Sequence, residues 1–155
     1  MTAQAVTRRA SSSVTPEASR SPTAGPRLGH TMTTTCLCDT GKLYDDCCGR
    51  WHSGRPAPTA LALMRSRYTA FALEFGDYLL DTWHPDTRPE TLDLDPDTEW
   101  TGLRIDATSD GKAWDTEGTV TFTASFTSPD GRGELREVSR FFFDDGRWYY
   151  YDGTY

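Results

Sequence analysis

The first regular pattern of apolar residues lies between residues 59 and 75. Its large apolar side chains recur at alternating spacings of three and four: Leu61, Met64, Tyr68, Phe71 and Phe75. This spacing places them on one face of an amphipathic helix. Thr59 is a typical N-cap residue, and Gly76 is a typical residue for ending a helix. Asp77 then predicts the cap of a second, shorter helix that runs through Trp83.

From Glu99 onward, apolar residues recur at every second position instead of at the spacing of a helix. The clearest alternation pairs Val120, Phe122, Ala124 and Phe126 with Thr119, Thr121, Thr123 and Ser125. Period two predicts half-buried strands here, at residues 103–107, at Leu135 to Phe143, and at Trp148 to Tyr151. Asp130-Gly131 and Asp145-Gly146 are typical of the turns between such strands. Two helices followed by an antiparallel meander predict an α+β domain whose helices cover one sheet face.

Composition separates the first 31 of the 155 residues from the rest of the chain. They are rich in Ser, Thr, Ala, Pro and Arg and poor in large apolar groups, which is typical of disorder. Met32 follows them directly, so translation starting at Met32 is one hypothesis and an organellar transit peptide is the rival. No central apolar run predicts a secretory signal, and no run approaches the length of a membrane span.

Charge divides the chain at the same place. The tail carries four arginines and one glutamate, a net charge of +3. The whole chain carries −7, so subtracting the tail leaves −10 for residues 32–155. Affinity for nucleic acid depends mostly on Lys and Arg contacts to phosphate, so this acidic region argues against a nucleic-acid partner.

All four cysteines stand in one thirteen-residue window, as Cys36-Leu37-Cys38 and Cys47-Cys48. Four thiolates form a closed tetrahedral set for a structural Zn²⁺, with His52 nearby as a substitute ligand or an outer donor. Disulfides are the first alternative, although neighbouring cysteines bond to each other poorly and two bridges in so short a loop would be strained. Ordinary buried thiols, or redox use of Cys36 and Cys38, are the others.

Residues 36–49 resemble the SEC-C motif, the zinc-binding module named for the tail of the SecA translocation motor. The chain keeps the motif's cysteine spacing together with Gly41, Lys42 and Tyr44. It departs at Leu37 and at Asp39-Thr40, where the family prefers Pro and Gly-Ser. The resemblance implies that Cys36, Cys38, Cys47 and Cys48 bind zinc.

A wider resemblance covers nearly everything from Cys36 to Thr154. The stretches that carry it are His52 to Thr59, Leu63 to Tyr68, Thr82 to Pro85, Ser139 to Phe141, Gly146 to Tyr150 and Asp152-Gly153. They are similar to the YchJ-like family of uncharacterised bacterial proteins. The resemblance implies a cone-shaped nuclear-transport-factor-2-like domain behind the zinc motif. The expected organisation is a tail at 1–31, a SEC-C-like zinc module at 32–55 and a YchJ-like α+β cone at 56–155.

A cavity inside such a cone would be the place for chemistry. His84 paired with Glu137, aided by Tyr68, would serve proton transfer in a lyase or isomerase. Each residue also has a structural interpretation: His84 as a helix-terminal residue, and Glu137 in a solvated pair with Arg136 or a cross-strand partner. The sequence does not name a reaction.

Ligand binding in the same cavity would use Arg65 or Arg140 to hold an anion, with Trp83 close by. Arg65 lies on the long helix, where a partly enclosed guanidinium needs a carboxylate and equally suits a structural ion pair. Arg140 and Glu137 fall on opposite faces of a strand by parity, so they do not form an obvious pair.

The leading functional hypothesis is a cytoplasmic, zinc-binding adaptor that uses the SEC-C-like module as a rigid recognition knob. Resemblance to SecA-type proteins implies a chaperone or ribosome-associated partner. No membrane partner is expected, because no apolar run is long enough to span a bilayer. The alternative is a small-molecule-binding protein, or a lyase or isomerase, that uses the cone cavity.

Overall fold

The computed structural model describes residues 34–155. The predicted disorder of residues 1–31 and the predicted start at Met32 lie outside the described residues. After a short 3-10 turn, Tyr44–Asp46, the chain forms three helices: α1 (Cys48–His52), α2 (Ala60–Leu73) and α3 (Gly76–Asp81). Four strands follow: β1 (Glu99–Asp110), β2 (Glu117–Ser128), β3 (Gly131–Asp144) and β4 (Arg147–Thr154).

Helix α2 begins as the sequence predicts and ends earlier. The Thr59 hydroxyl accepts the Ala62 backbone N–H at 3.0 Å, which caps the first turn. The helix ends at Leu73 because Glu74 adopts the left-handed conformation, with φ of +63°. Gly76 therefore starts α3 instead of ending α2, and Asp77 lies inside the first turn of α3 instead of capping it.

Helix α3 also ends before the predicted Trp83. Trp83 leaves the helix to form a parallel bridge with Tyr150 of β4. The Tyr150 N–H donates to the Thr82 carbonyl, and the His84 N–H donates to the Tyr150 carbonyl, each at 2.8 Å. The segment after α3 thereby covers part of the outer edge of the sheet, which would otherwise present unpaired backbone groups.

The strands form one antiparallel meander in the order β1-β2-β3-β4. Its inward residues are largely buried and include Val120, Phe122, Ala124, Phe141, Trp148 and Tyr150. The helices cover this inner face, so the predicted α+β class and antiparallel meander are confirmed. Among residues 34–155, no helix combines the length and apolar character needed to cross a bilayer.

Helix α2 is buried on more than the predicted apolar stripe. Ser66, Arg67 and Thr69 are as enclosed as Met64 and Tyr68. The sheet packs on one side of α2, while the cysteine segment and α1 pack on another. The cysteines consequently belong to the same buried cluster as the core of the sheet domain.

Gly153 on β4 packs directly against the carboxylate of Glu137 on β3, and a Cβ at this position would overlap it. We expect Gly153→Ala to lower the free energy of unfolding by about 1–3 kcal/mol, as overpacked interiors do. Urea denaturation at neutral pH measures the change.

Gly76→Ala is the matched control, because no heavy atom of another part of the described residues 34–155 lies within 4 Å of its added Cβ. Its free energy of unfolding should stay within about 0.5 kcal/mol of the parent protein. Equal effects of the two substitutions would show that the Glu137 carboxylate has room to move away from β4.

Candidate functional site

The four cysteine side chains converge on one buried point. Their sulfur atoms all lie within 4.8 Å of one another, and all four residues are buried. The Sγ atoms of Cys38 and Cys47 are 3.5 Å apart, and none of the four cysteines forms a disulfide. Sulfurs about 2.3 Å from one tetrahedral ion would be about 3.8 Å apart, so this cluster can hold a metal ion.

The backbone turns sharply between Cys38 and Cys47 to bring the two pairs together. Asp39 and Gly41 adopt left-handed conformations, with φ of +66° and +86°, and the Cys36 N–H donates to the Lys42 carbonyl at 2.7 Å. Glycine adopts this conformation without strain, and aspartate tolerates it better than most residues do. We call residues 36–48 the cysteine loop.

Two of the three residues where the loop departs from the SEC-C pattern, Asp39 and Thr40, have specific contacts. The Thr40 hydroxyl lies 3.2 Å from the sulfur of Cys47. The Asp39 carboxylate accepts the backbone N–H of Leu103 at 2.9 Å, beside an irregularity in β1 between Trp100 and Gly102. Thr40 and Asp39 therefore attach the loop to a sulfur and to the sheet.

Helix α2 supplies two further contacts to the cysteine loop. The guanidinium of Arg65 donates to the Cys38 carbonyl at 2.6 Å. The Thr69 hydroxyl donates to the Cys48 sulfur at 3.4 Å and lies 3.7 Å from the Cys36 sulfur. Sequence reasoning placed Arg65 in the cone and missed Thr69, although the two residues are four apart and share one face of the helix.

His52 lies beside the cysteine cluster, where it joins a chain of hydrogen bonds instead of facing the centre of the cluster. Its Nε2 lies 2.8 Å from the Ser66 carbonyl, which can only accept, so Nε2 carries the proton. Its Nδ1 then accepts the Tyr44 hydroxyl at 2.6 Å. Burial lowers the pKa of His52, which favours this neutral form. His52 thereby joins the loop, through Tyr44, to α2.

Without an ion, the clustered thiols compete for protons. Hydrogen bonds from Cys38 and Cys48 lower the pKa of Cys36, while the same bonding to Cys36 and Cys38 raises the pKa of Cys48. Negative charge on one sulfur therefore keeps its neighbours protonated. A divalent cation would remove this competition by neutralising several thiolates together, with release of their protons.

The interior of the cone is filled around a buried arginine. Arg67 donates to the Leu79 carbonyl and to the Thr82 hydroxyl, both at 2.7 Å. Its guanidinium carbon also lies 4.4 Å from the centre of the Tyr150 ring and 5.1 Å from that of Trp83. Burial lowers the pKa of Arg67 to about 10, which leaves it charged at neutral pH.

Glu137 lies in this interior, so the expected solvated pair with Arg136 or a cross-strand partner is wrong. The residue is 0% exposed, and its Oε2 accepts hydrogen bonds from Ser139 at 2.9 Å and from Tyr150 at 3.0 Å. The cavity beside Arg67 and Tyr150 measures only about 10 Å³. That is room for about one water molecule and not for a substrate.

His84 and Glu137 are not brought together. His84 packs edge-on against Tyr149 and Tyr151, whereas Glu137 bonds to the intervening Tyr150, whose side chain points to the opposite face of β4. The Nε2 of His84 lies 3.1 Å from the Asp144 carboxylate. The predicted pairing of His84 with Glu137 for proton transfer is therefore wrong.

Arg140 lies on the outer face of the sheet, whereas Glu137 lies on the inner face, as the alternation of side chains along β3 predicts. It makes two hydrogen bonds to the Asp152 carboxylate, at 2.7 and 2.8 Å, and stacks near Phe142 and Tyr151. With His84 it borders a shallow depression of about 380 Å³ on the uncovered face of the sheet. Both residues therefore line this outer depression instead of a cavity inside the cone.

The two remaining candidates are packed into the core. Tyr68 is 1% exposed, and its ring meets Trp100 edge-on at 6.4 Å. Trp83 is 4% exposed and packs edge-on against Tyr150 at 5.1 Å. A separate pocket of about 320 Å³ opens at the end of the cone, and neither Arg65 nor His84 lines it.

Comparison with protein families identifies the sheet domain. The family model described as "YchJ, middle NTF2-like domain" matches residues 59–153. A UPF0225 protein from Streptomyces coelicolor is 54% identical over 124 residues, which cover 79% of this chain and 97% of that protein. A UPF0225 protein from Deinococcus radiodurans is 49% identical over 121 residues, covering 77% of this chain and 88% of that one.

Two solved structures share the fold described above. The solution structure of a SEC-C motif containing protein from Rhodopseudomonas palustris matches with a TM-score of 0.68 and 34% identity, covering 78% of this chain and 98% of that one. The crystal structure of a SEC-C motif containing protein from Psychrobacter arcticus matches with a TM-score of 0.63 and 30% identity, covering 80% and 81%.

Arg67 and Arg140 provide a matched test of burial, because the first is enclosed and the second is exposed. We expect Arg67→Met to lower the free energy of unfolding by about 3–5 kcal/mol, because it breaks a buried charged network. Arg140→Met, which breaks an exposed ion pair, should cost less than about 1 kcal/mol.

Urea denaturation of both variants at pH 7 makes the comparison. A cost for Arg67→Met no larger than that for Arg140→Met would contradict the enclosed position of Arg67.

Proposed function

This chain belongs to the YchJ-like family, and we propose that it is a zinc-binding adaptor. In this proposal it presents an apolar surface of its cysteine loop to a protein partner. The observation that carries the proposal is the buried group of four sulfurs within 4.8 Å, beside two exposed leucines on the same loop. A rigid loop with exposed apolar side chains is suited to recognition.

Zinc is the ion that best fits the donor set. Cys36, Cys38, Cys47 and Cys48 would hold it, and an all-thiolate set favours Zn²⁺ over hard cations such as Mg²⁺ or Ca²⁺. Four ligands leave no open coordination position, so the ion would have a structural role. The hydrogen bonds from Thr69 and Thr40 to the sulfurs would orient the ligands, and Arg65 would offset part of the net negative charge.

Leu37 and Leu43 supply the apolar surface. Each is 44% exposed, although both lie in a loop whose cysteines are buried. Leu37 stands between two ligand positions, and Leu43 pairs with Thr35 in a short bridge, so both are held by the folded loop. Lys42 lies next to Leu43 and is exposed, which adds a positive charge to this surface.

A chaperone or a ribosome-associated protein is the partner class that the SEC-C resemblance favours. The filled interior supports an adaptor over a lyase or isomerase, because about 10 Å³ beside Arg67 cannot admit a reactant. The expected His84–Glu137 pair is also divided by the sheet.

Co-sedimentation of purified zinc-loaded protein with bacterial ribosomes, and its cross-linking to translating ribosomes and their bound chaperones, tests the proposal. The parent protein should carry one zinc per chain and be retained. Leu37→Ser combined with Leu43→Ser should keep the zinc and lose most of the retention, because it removes only the apolar surface.

Cys47→Ser should lose both zinc and retention. Trp114→Ser is the control for a general loss of surface hydrophobicity, since Trp114 is 79% exposed and lies far along the chain from the loop. Full retention of the leucine variant or of Cys47→Ser would show that the cysteine loop is not the interface.

A further inference from the structure

The pocket at the open end of the cone, which we call the mouth pocket, is built from several elements. The C-terminal end of α2, the segment before β1 and the first three strands all contribute to it. Its apolar lining consists of Phe71, Leu94, Trp100, Phe126, Leu135 and Tyr155. Its volume of about 320 Å³ lies at the lower end of the range for small-molecule sites.

The walls of the mouth pocket are held in place by the fold. Trp100 and Phe126 meet edge-on with ring centres 5.3 Å apart, and Trp100 also contacts Tyr68 in the core. In the segment before β1, Asp95 accepts the Asp97 N–H at 2.9 Å and the Thr98 hydroxyl at 3.0 Å. The pocket is therefore a feature of ordered core and turn residues.

The charge of the lining has one sign. Glu74, Asp95 and Glu134 are in the lining, and no lysine or arginine among residues 34–155 is. Glu74 is exposed, so its carboxylate can adjust to a bound group. The side chain of Glu134 points to the sheet face opposite Leu135 and interacts with Arg104. An apolar pocket bordered by carboxylates repels anions and attracts cations, and the aromatic rings can add cation–π attraction.

We propose that the mouth pocket binds a lipophilic organic cation, meaning a protonated amine or quaternary ammonium group on an apolar body. The apolar body would lie against Phe126, Leu135 and Leu94, and the cationic group would lie near Glu74. None of the four cysteines lines this pocket, so the site is independent of the proposed adaptor role.

A trio of probes with one apolar body tests the charge selectivity: 4-phenylbutylamine, 4-phenylbutanol and 4-phenylbutyrate. Titrations of the full-length, zinc-loaded protein are followed by the NMR signals of the Trp100 indole N–H and the Leu135 amide. The amine should shift both signals saturably and bind about tenfold more tightly than the alcohol, with the carboxylate weakest.

Variants separate the two parts of the site. Glu74→Gln should weaken amine binding about threefold and leave alcohol binding unchanged. Leu94→Ser should weaken the amine and the alcohol alike. Glu90→Gln with Glu117→Gln, which changes two exposed carboxylates outside the lining, should change neither.

Equal binding of the three probes, or no saturable shift with the amine at millimolar concentration, would overturn the proposal. Full amine affinity in the Glu74→Gln variant would overturn it as well. A synthetic peptide of residues 1–31, with its net charge of +3, is added in competition. Displacement of the amine by this peptide would assign the pocket to the chain's own N-terminus instead of a small molecule.

Discussion

The contact between the cysteine loop and helix α2 determines how the rest of the molecule is arranged. Thr69 reaches the sulfurs, Arg65 holds the Cys38 carbonyl, and Ser66 accepts a hydrogen bond from His52. On its other side, the loop reaches β1 through the bond from Leu103 to Asp39. The loop has few large apolar groups of its own, so a metal ion that joins its two cysteine pairs would supply the cohesion that a small core lacks.

This arrangement explains why α2 is buried on two sides and why its polar residues are enclosed. Arg65 and Arg67 are two positions apart on a helix, so they project to different sides. Arg65 turns toward the cysteine loop, and Arg67 turns toward the sheet, where Tyr150 and Glu137 surround it. These side chains fill the interior of the cone, where the predicted catalytic cavity would have been. The space available for a ligand lies instead at the mouth of the cone.

Strand positions could be predicted well because alternation in β2 and β3 reports directly on a half-buried sheet. Helix ends were harder, since Glu74 takes the left-handed conformation that the sequence assigned to Gly76. Alternation along β3 places Glu137 on the inner face of the sheet, but its carboxylate favoured an exposed position in the prediction from sequence. Its burial depends on the Tyr150 hydroxyl and on the space left by Gly153, both of which come from another strand. The cysteine cluster was predictable because its ligands are close in sequence, whereas Thr69 was not.

The Leu103 amide offers the most direct measurement of the central claim, that a metal held by the four cysteines fixes the loop against α2 and β1. Its hydrogen exchange is compared by NMR in zinc-loaded protein and in reduced protein stripped by a chelator. The account predicts that stripping removes protection at Leu103 and at Cys36, whose N–H closes the loop, while Phe122 in the centre of the sheet stays protected. Unchanged protection at Leu103 and Cys36 in metal-free protein would contradict it.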